Sequence, residues 1–266
     1  MLLRELEYAR PGSVQEAIQL LAAREDARAL AGGQSLVNVM KTRVAAPELV
    51  VDLNRIDSLR GIRAAGGGLE IGAMTTYAAI VDSPEVAGAR PILAEVARTI
   101  ADVQVRNRGT IGGNVCSNDP TNHFPPLLVA LGAEFTIAGT GGERTVDAET
   151  FFEGVYLTAV QPGELLTGIR VPPKNGSRDG WASITLGKDG TGIVNVAATV
   201  SGGTARIAIG CVAATPVLVS ASADETAVRD AVRSAELDPP SDVHASADYR
   251  RHLAEVLAGR AVREAR

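Results

Sequence analysis

The sequence predicts an α+β fold: a two-lobed N-terminal part followed by a C-terminal antiparallel sheet with helices. Three observations carry this. β-rich runs and amphipathic helices interleave through residues 1–172. Pro172-Pro173 and the polar stretch 174–179 form the strongest linker signal in the chain. Beyond it, three β runs at 181–186, 193–201 and 205–213 follow one another through Gly-containing turns, and two helical patterns come after. The expected division is 1–172, with lobes of about 1–57 and 58–172, and 178–266.

The elements follow in order. Ser13 and Glu16 have capping-box spacing, and Val14, Ala17, Ile18 and Leu21 make one apolar face, so 13–24 reads as a helix. The run 28–31 reads as a strand broken by Gly32-Gly33-Gln34-Ser35. Leu36–Lys41 is then a helical turn and 49–53 a second strand. A hairpin is expected over 61–73, turning at Gly66-Gly67-Gly68. Thr75 is placed to cap a helix through Val81. Pro91 suits the first turn of another over 92–101, with Leu93, Val96, Ala97 and Ile100 facing inward. Residues 102–126 show few periodic apolars and read as a loop; 127–131 is a short helix, and 134–138 and 165–171 are strands. The last helices are expected near 223–235 and 245–258.

Composition excludes several classes. The 266 residues are 45% hydrophobic and 21% charged, enough to bury a core. The net charge of −5 offers no basic face to nucleic acid. No stretch reaches the roughly 20 apolar residues that cross a bilayer, and the N-terminus does not read as a signal peptide, so a cytoplasmic protein is expected. Cys116 and Cys211 are the two cysteines; an iron–sulfur cluster needs about four thiolates, so this chain cannot ligate one alone. No His, Cys, Asp and Glu fall at metal-ligand spacing, and no G-x-S-x-G is present, so neither metal ligands nor catalytic residues are expected. His244 and His252 read as surface residues on a C-terminal helix.

Two loops stand out: Ala31-Gly32-Gly33-Gln34-Ser35 and Thr110-Ile111-Gly112-Gly113-Asn114. Paired glycines let the backbone approach a ligand closely, and successive exposed N–H groups form an anion-binding concavity. Ser35, Thr110 and Asn114 can add side-chain hydrogen bonds. A diphosphate suits two such loops facing each other; taken alone, either Gly-Gly is better explained as a tight turn. Neither matches G-x-G-x-x-G or the P-loop.

Together with Leu36, Lys41, Val51-Asp52-Leu53 and Leu131-Gly132-Ala133, these loops resemble the FAD-binding medium subunit of the molybdenum hydroxylases, a group that includes the carbon monoxide dehydrogenase medium subunit and the xanthine dehydrogenase flavin domain. The resemblance runs over nearly the whole chain. It implies a two-lobed FAD-binding domain of the PCMH type and a CO dehydrogenase flavoprotein-like C-terminal domain. Non-covalent FAD would lie between the lobes. Its implied contacts are Leu30, Ala31, Gly32, Gly33, Gln34, Ser35, Leu36, Ile100, Thr110, Ile111, Gly112, Gly113, Asn114, Ser117, Asp119, His123, Leu166 and Thr185. The isoalloxazine would point toward the C-terminal domain near Leu166. The implied partners are an iron–sulfur small subunit and a molybdenum-cofactor large subunit, with NAD, a quinone or oxygen as external acceptor.

The chain departs from the family at named positions. His123 stands nine positions after Asn114, where many relatives have Asp; an unperturbed imidazole titrates near about 6.5. Asp119 is close enough in sequence to substitute. Thr185 stands where relatives often have Lys. Lys188 and Asp189 are kept, but the flavin-stacking aromatic of some members is missing. Cys116 reads as packing. Two rival readings stay open: a stand-alone flavin oxidase or dehydrogenase of the vanillyl-alcohol-oxidase type, and a non-catalytic assembly subunit without FAD.

Overall fold

The computed structural model describes residues 3–187 and 190–265. Three apolar clusters divide it. The first surrounds a parallel sheet in which Leu49–Asp52 runs between Glu7–Ala9 and Arg28–Leu30. The helix Val14–Ala22 covers it, burying Ala17, Ile18 and Leu21 against Val51 and Leu53. That helix is capped reciprocally: Ser13 Oγ accepts from the Glu16 N–H at 3.2 Å, and Glu16 Oε2 accepts from the Gly12 N–H at 2.9 Å.

The second cluster lies on a five-stranded sheet ordered Ile62–Ala65, Gly68–Gly72, Leu165–Val171, Glu134–Gly139 and Gly142–Asp147. Leu165–Val171 pairs antiparallel with both of its neighbours, so the chain leaves this sheet through its middle strand. Gly66 and Gly67, both at positive φ, turn the first hairpin as expected. Short helices cover the sheet, and Phe135, Phe151 and Phe152 meet in its core, the first two stacked at 4.0 Å.

The third cluster belongs to the C-terminal meander Arg178–Thr185, Gly192–Ser201, Thr204–Gly210 and Val217–Ser222. Side-chain alternation splits its two faces. Val194, Val196, Ala198 and Val200 face the helices Glu225–Ser234 and Ala247–Glu264, while Trp181, Ala197 and Ala208 pack against the N-terminal part. Contact with the long helix is close: a Cβ on Gly180 would lie 1.9 Å from Ala261 O.

Several local expectations change. The cap of Tyr77–Asp82 is Thr76, one residue past Thr75, whose hydroxyl donates instead to Gly61 O. Segment 102–126 is not one loop. It contains the helices Val103–Arg108 and Ile111–Ser117, capped by Asp102 and Thr110, and Phe124–Leu131 already starts inside it. Both capped helices are short and the second has two glycines in its first turn, so neither builds an apolar period. The linker ends at 177, because Arg178 and Asp179 open the first strand of the meander. A fourth meander strand, Val217–Ser222, went unpredicted, and His244 lies in the turn before the last helix rather than on it.

Candidate functional site

The two glycine loops meet. A Cβ on Gly32 would lie 2.1 Å from Arg108 O and 2.9 Å from Gly109 Cα, and a Cβ on Gly113 would lie 3.5 Å from the Ala31 Cβ. The Gly32 approach requires a glycine, because no side chain fits between the backbones, while Gly113 and Ala31 meet at ordinary contact distance. Gly109 and Thr110 are held from the other side by the segment 75–77: the Tyr77 N–H donates to Gly109 O, and the Ile111 N–H donates to Thr75 O. The seam is a backbone-to-backbone contact between the loop after the Arg28–Leu30 strand and Arg108–Gly109.

The loops differ in what they offer. In the first, the N–H groups of Gly32, Gly33, Gln34 and Ser35 have no hydrogen-bond acceptor among the described residues. Gly33 adopts φ +74°, the left-handed conformation that brings successive N–H groups onto one side of a nest. In the second loop the sequence-level expectation of a free N–H cradle fails. The Ile111 N–H bonds Thr75 O, Gly112 bonds Ala73 O at 2.9 Å, Gly113 bonds Thr110 Oγ1 at 3.0 Å, and Asn114 bonds Thr110 O. Two causes act: Thr110, the N-cap of Ile111–Ser117, takes the Gly113 and Asn114 donors with its hydroxyl and carbonyl, and the carbonyls of Thr75 and Ala73 take those of Ile111 and Gly112. What this loop supplies is close approach, a helix N-terminus and side chains.

Those side chains form a polar cluster. Ser117 Oγ donates to Asn114 O at 2.8 Å, and Asn122 Nδ2 donates to Asn114 O at 3.0 Å and to Ser117 Oγ at 3.1 Å. Asn114 Oδ1 is buried with no donor. Beside it, Tyr77 is enclosed; burial pushes its phenol upward, against a smaller opposing effect of the Asn114 amide. The helix ends on Asn118 in the left-handed region, whose Nδ2 donates to Gly154 O and Leu157 O. Asp119 spends one oxygen on the Thr121 N–H and hydroxyl and the other on the Tyr156 hydroxyl.

His123 precedes the helix Phe124–Leu131 and is 5% exposed. Its ring tilts against Trp181 on the C-terminal sheet, centroids 5.6 Å apart. Burial pushes its imidazole down to about 4, so it is neutral across the physiological range instead of titrating near the ordinary value. His123 Nε2 and Trp181 Nε1 are both buried without partners. Burial likewise raises the Cys116 and Cys211 thiols to about 12, which fits packing roles rather than thiol chemistry.

The remaining expected residues sit apart. Leu30 ends the strand before the first loop, and Leu36 opens the helix after it. Ile100 and Leu166 are buried in the main core; Leu166 pairs with Ile137 beside a bulge in its strand. Thr185 donates to Gly187 O at the end of its strand. Lys188 and Asp189 lie outside the described residues. Sequence reasoning missed Asn54, whose Nδ2 donates to Ala31 O at 3.0 Å. It also missed the buried pair Arg90–Asp179, closed at 2.6 Å across the linker. The spacing Asp52-x-Asn54 after a strand is a side-chain turn signal that pointed to Asn54; no local pattern marks a pair 89 residues apart.

The residues fit a dinucleotide. A nest of unpaired N–H groups suits a diphosphate, and the orphaned Asn114 Oδ1 and His123 Nε2 suit hydroxyl or amide partners. No group of three or more potential metal ligands occurs among the described residues.

Comparisons agree with that chemistry. The family described as FAD binding domain in molybdopterin dehydrogenase matches residues 4–174, and the CO dehydrogenase flavoprotein C-terminal domain matches 182–265. The chain is 43% identical to the carbon monoxide dehydrogenase medium chain of Afipia carboxidovorans, over 98% of this chain and 96% of that one. It is 33% identical to the nicotine 6-hydroxylase medium subunit of Paenarthrobacter nicotinovorans, over 100% and 99%. Among solved structures, a carbon monoxide dehydrogenase from Hydrogenophaga pseudoflava is similar with a TM-score of 0.93 at 38% identity, covering 100% of this chain and 98% of that one. Quinoline 2-oxidoreductase from Pseudomonas putida 86 gives 0.91 at 34% identity, with 100% and 98% covered.

Proposed function

The chain belongs to the FAD-binding medium subunits of the molybdenum hydroxylases, and from that premise we propose that it is the electron-transfer subunit of such an oxidoreductase, receiving electrons from iron–sulfur clusters on a small partner subunit and releasing them to an external acceptor. A large subunit with the molybdenum cofactor would choose the substrate. NAD, a quinone and oxygen are the acceptor classes to test. No helix among the described residues is long and apolar enough to cross a membrane.

FAD supplies the redox chemistry; this chain binds, orients and shields it. In our reading, the N–H groups of Gly32 to Ser35 hold the diphosphate. The seam between Gly32 and Arg108–Gly109 sets how far the lobes stand apart. Asn114, Ser117 and the neutral His123 bond hydroxyl or amide groups along the flavin. Leu166 and Ile100, buried in the main core, contribute through packing behind the site and not as a face on the ligand. Asp119, engaged with Thr121 and Tyr156, shapes the turn rather than replacing the family's acid at 123. Residues 1–172 form the flavin domain, and 178–266 close over its His123 side through Trp181.

The observation that carries this reading is the free N–H nest against the second loop. The test is flavin content of the purified chain. Yellow protein that releases FAD to the supernatant on acid precipitation is expected, since no covalent link is proposed. A chain that neither carries nor takes up FAD refutes it, and flavin that stays in the pellet would favour the vanillyl-alcohol-oxidase type instead.

A further inference from the structure

Four free N–H groups in a row need their peptide planes held, because glycine peptides turn easily. A trans peptide places its C=O and N–H on opposite sides, so anchoring one aims the other. Ala31 O accepts from Asn54 Nδ2 at 3.0 Å, which turns the Gly32 N–H away from Asn54. Gly32 O accepts from Gln34 Nε2 at 3.1 Å, which does the same for the Gly33 N–H. The Gln34 latch is internal to the loop and moves with it. The Asn54 latch comes from outside, from the turn after the Leu49–Asp52 strand.

Asn54 is itself braced. Its own N–H donates to Asp52 Oδ1 at 2.8 Å, and its Nδ2 donates to the same oxygen at 2.6 Å. The Tyr8 hydroxyl donates to the other Asp52 oxygen. Arg60 donates to Asn54 Oδ1 at 3.2 Å, so the amide orientation is fixed by an acceptor-side partner as well as by donor-side ones. The strand places Asp52, Asp52 fixes Asn54, and Asn54 fixes the first peptide of the nest.

We infer that Asn54 is a positioning residue for diphosphate binding, acting through the Ala31 carbonyl to aim the Gly32 N–H into the cleft. This rests on the reading of the first loop as the diphosphate site. Asn54 is not expected to touch the ligand.

The test measures Kd for FAD and for ADP, the diphosphate probe without a flavin, on the purified full-length chain, alongside the Tm without ligand. N54A should raise both Kd values about tenfold, the loss of one aimed hydrogen bond, with little change in that Tm. N54H, whose ring nitrogen can donate from a similar position, should recover to within about threefold of wild type. A merely structural role would lower the Tm and would give no rescue by a donor. If N54A does not fold, N54L carries the test, since it keeps much the same bulk without the N–H and without adding charge beside Asp52; the same loss is expected. Wild-type Kd values in the folded variant overturn the positioning role and leave the diphosphate site standing. Wild-type chain that binds neither FAD nor ADP overturns both.

Discussion

Gly32→Ala is the sharpest test of the seam between the lobes. The new Cβ would sit 2.1 Å from Arg108 O, 2.7 Å from Arg108 C and 2.9 Å from Gly109 Cα, all backbone atoms. Rotamer changes cannot relieve this. To reach even 3.0 Å from Arg108 O the loops must separate by 3.0 − 2.1, about 0.9 Å. The Arg108 side resists, because the Gly109 N–H is bonded to Val105 O and Gly109 O to the Tyr77 N–H. Overpacking of this kind costs about 1–3 kcal/mol, or roughly 2–10 °C in Tm for a chain of this size. Binding should suffer more than stability. A shift of about 1 Å takes N–H groups out of hydrogen-bond range of a diphosphate, and bonds to a charged acceptor contribute about 1.5–3 kcal/mol each. Losing one or two weakens FAD by about 10- to 10⁴-fold.

The assay pairs FAD titration with thermal unfolding without ligand, and sets Gly33→Ala beside it. Gly33 sits at φ +74°, and a Cβ there meets only side-chain carbons, Val37 Cγ2 at 3.2 Å and Leu30 Cδ1 at 3.5 Å. Its cost is local backbone strain of about 1–2 kcal/mol, with no separation of the lobes. Gly32→Ala with a wild-type FAD Kd would refute the claim that the seam sets the site.

Three further outcomes are expected. Asp179→Ala leaves Arg90 charged in a place where both side chains are only 3% exposed, so a loss of about 3–5 kcal/mol should appear as a lower denaturant midpoint; an unchanged midpoint refutes a stabilising pair. His123 is held at about 4 when folded against 6.5 as its ordinary value, so the unfolded chain binds this proton first: the stability is full above about 6.5, declines as pH falls toward about 4, and amounts to about 3 kcal/mol. H123Q should flatten the pH dependence of the unfolding midpoint across that window, and parallel profiles for the two proteins would count against the buried neutral imidazole. Cys211 is 4% exposed with its thiol pushed up to about 12, so a thiol reagent at neutral pH should modify it no faster than the chain unfolds; rapid native labelling refutes its enclosure.

The local elements were legible where short local motifs set them. Ser13 with Glu16 placed the first helix, Gly66-Gly67 the hairpin, and Leu36–Lys41 the helix after the first loop. Both glycine loops stood out in the sequence because close approach leaves only one residue type available. Other features were hidden for identifiable reasons. Ile111–Ser117 looked like loop because its glycines have low helix propensity, and packing against the Leu165–Val171 strand compensates. His123 could be located but its protonation could not, since Trp181 reaches it from the Arg178–Thr185 strand, far away in the sequence. Arg90–Asp179 depends on tertiary contact alone.

The inequality between the loops bears on how such a site can bind tightly and still stay folded without ligand. A helix that used its first-turn N–H groups on a ligand would leave them bare when the ligand departs. Here Thr110 and the carbonyls of Ala73 and Thr75 satisfy those groups permanently, so the second loop is a rigid wall in either condition. Gly32 to Ser35 hold a run of bare donors, and there the residues are partly or fully exposed, so water can serve them. Exposure makes those donors cheap to leave empty but free to wander, and free donors bind weakly because ordering them costs entropy. The seam with Arg108 and the Asn54 latch answer that problem from two sides, one fixing where the loop stands and the other which way its peptides face. Position and orientation are therefore separable: Gly32→Ala should change the first and Asn54→Ala the second. The double variant should be less than additive, because N–H groups already displaced gain nothing from being aimed.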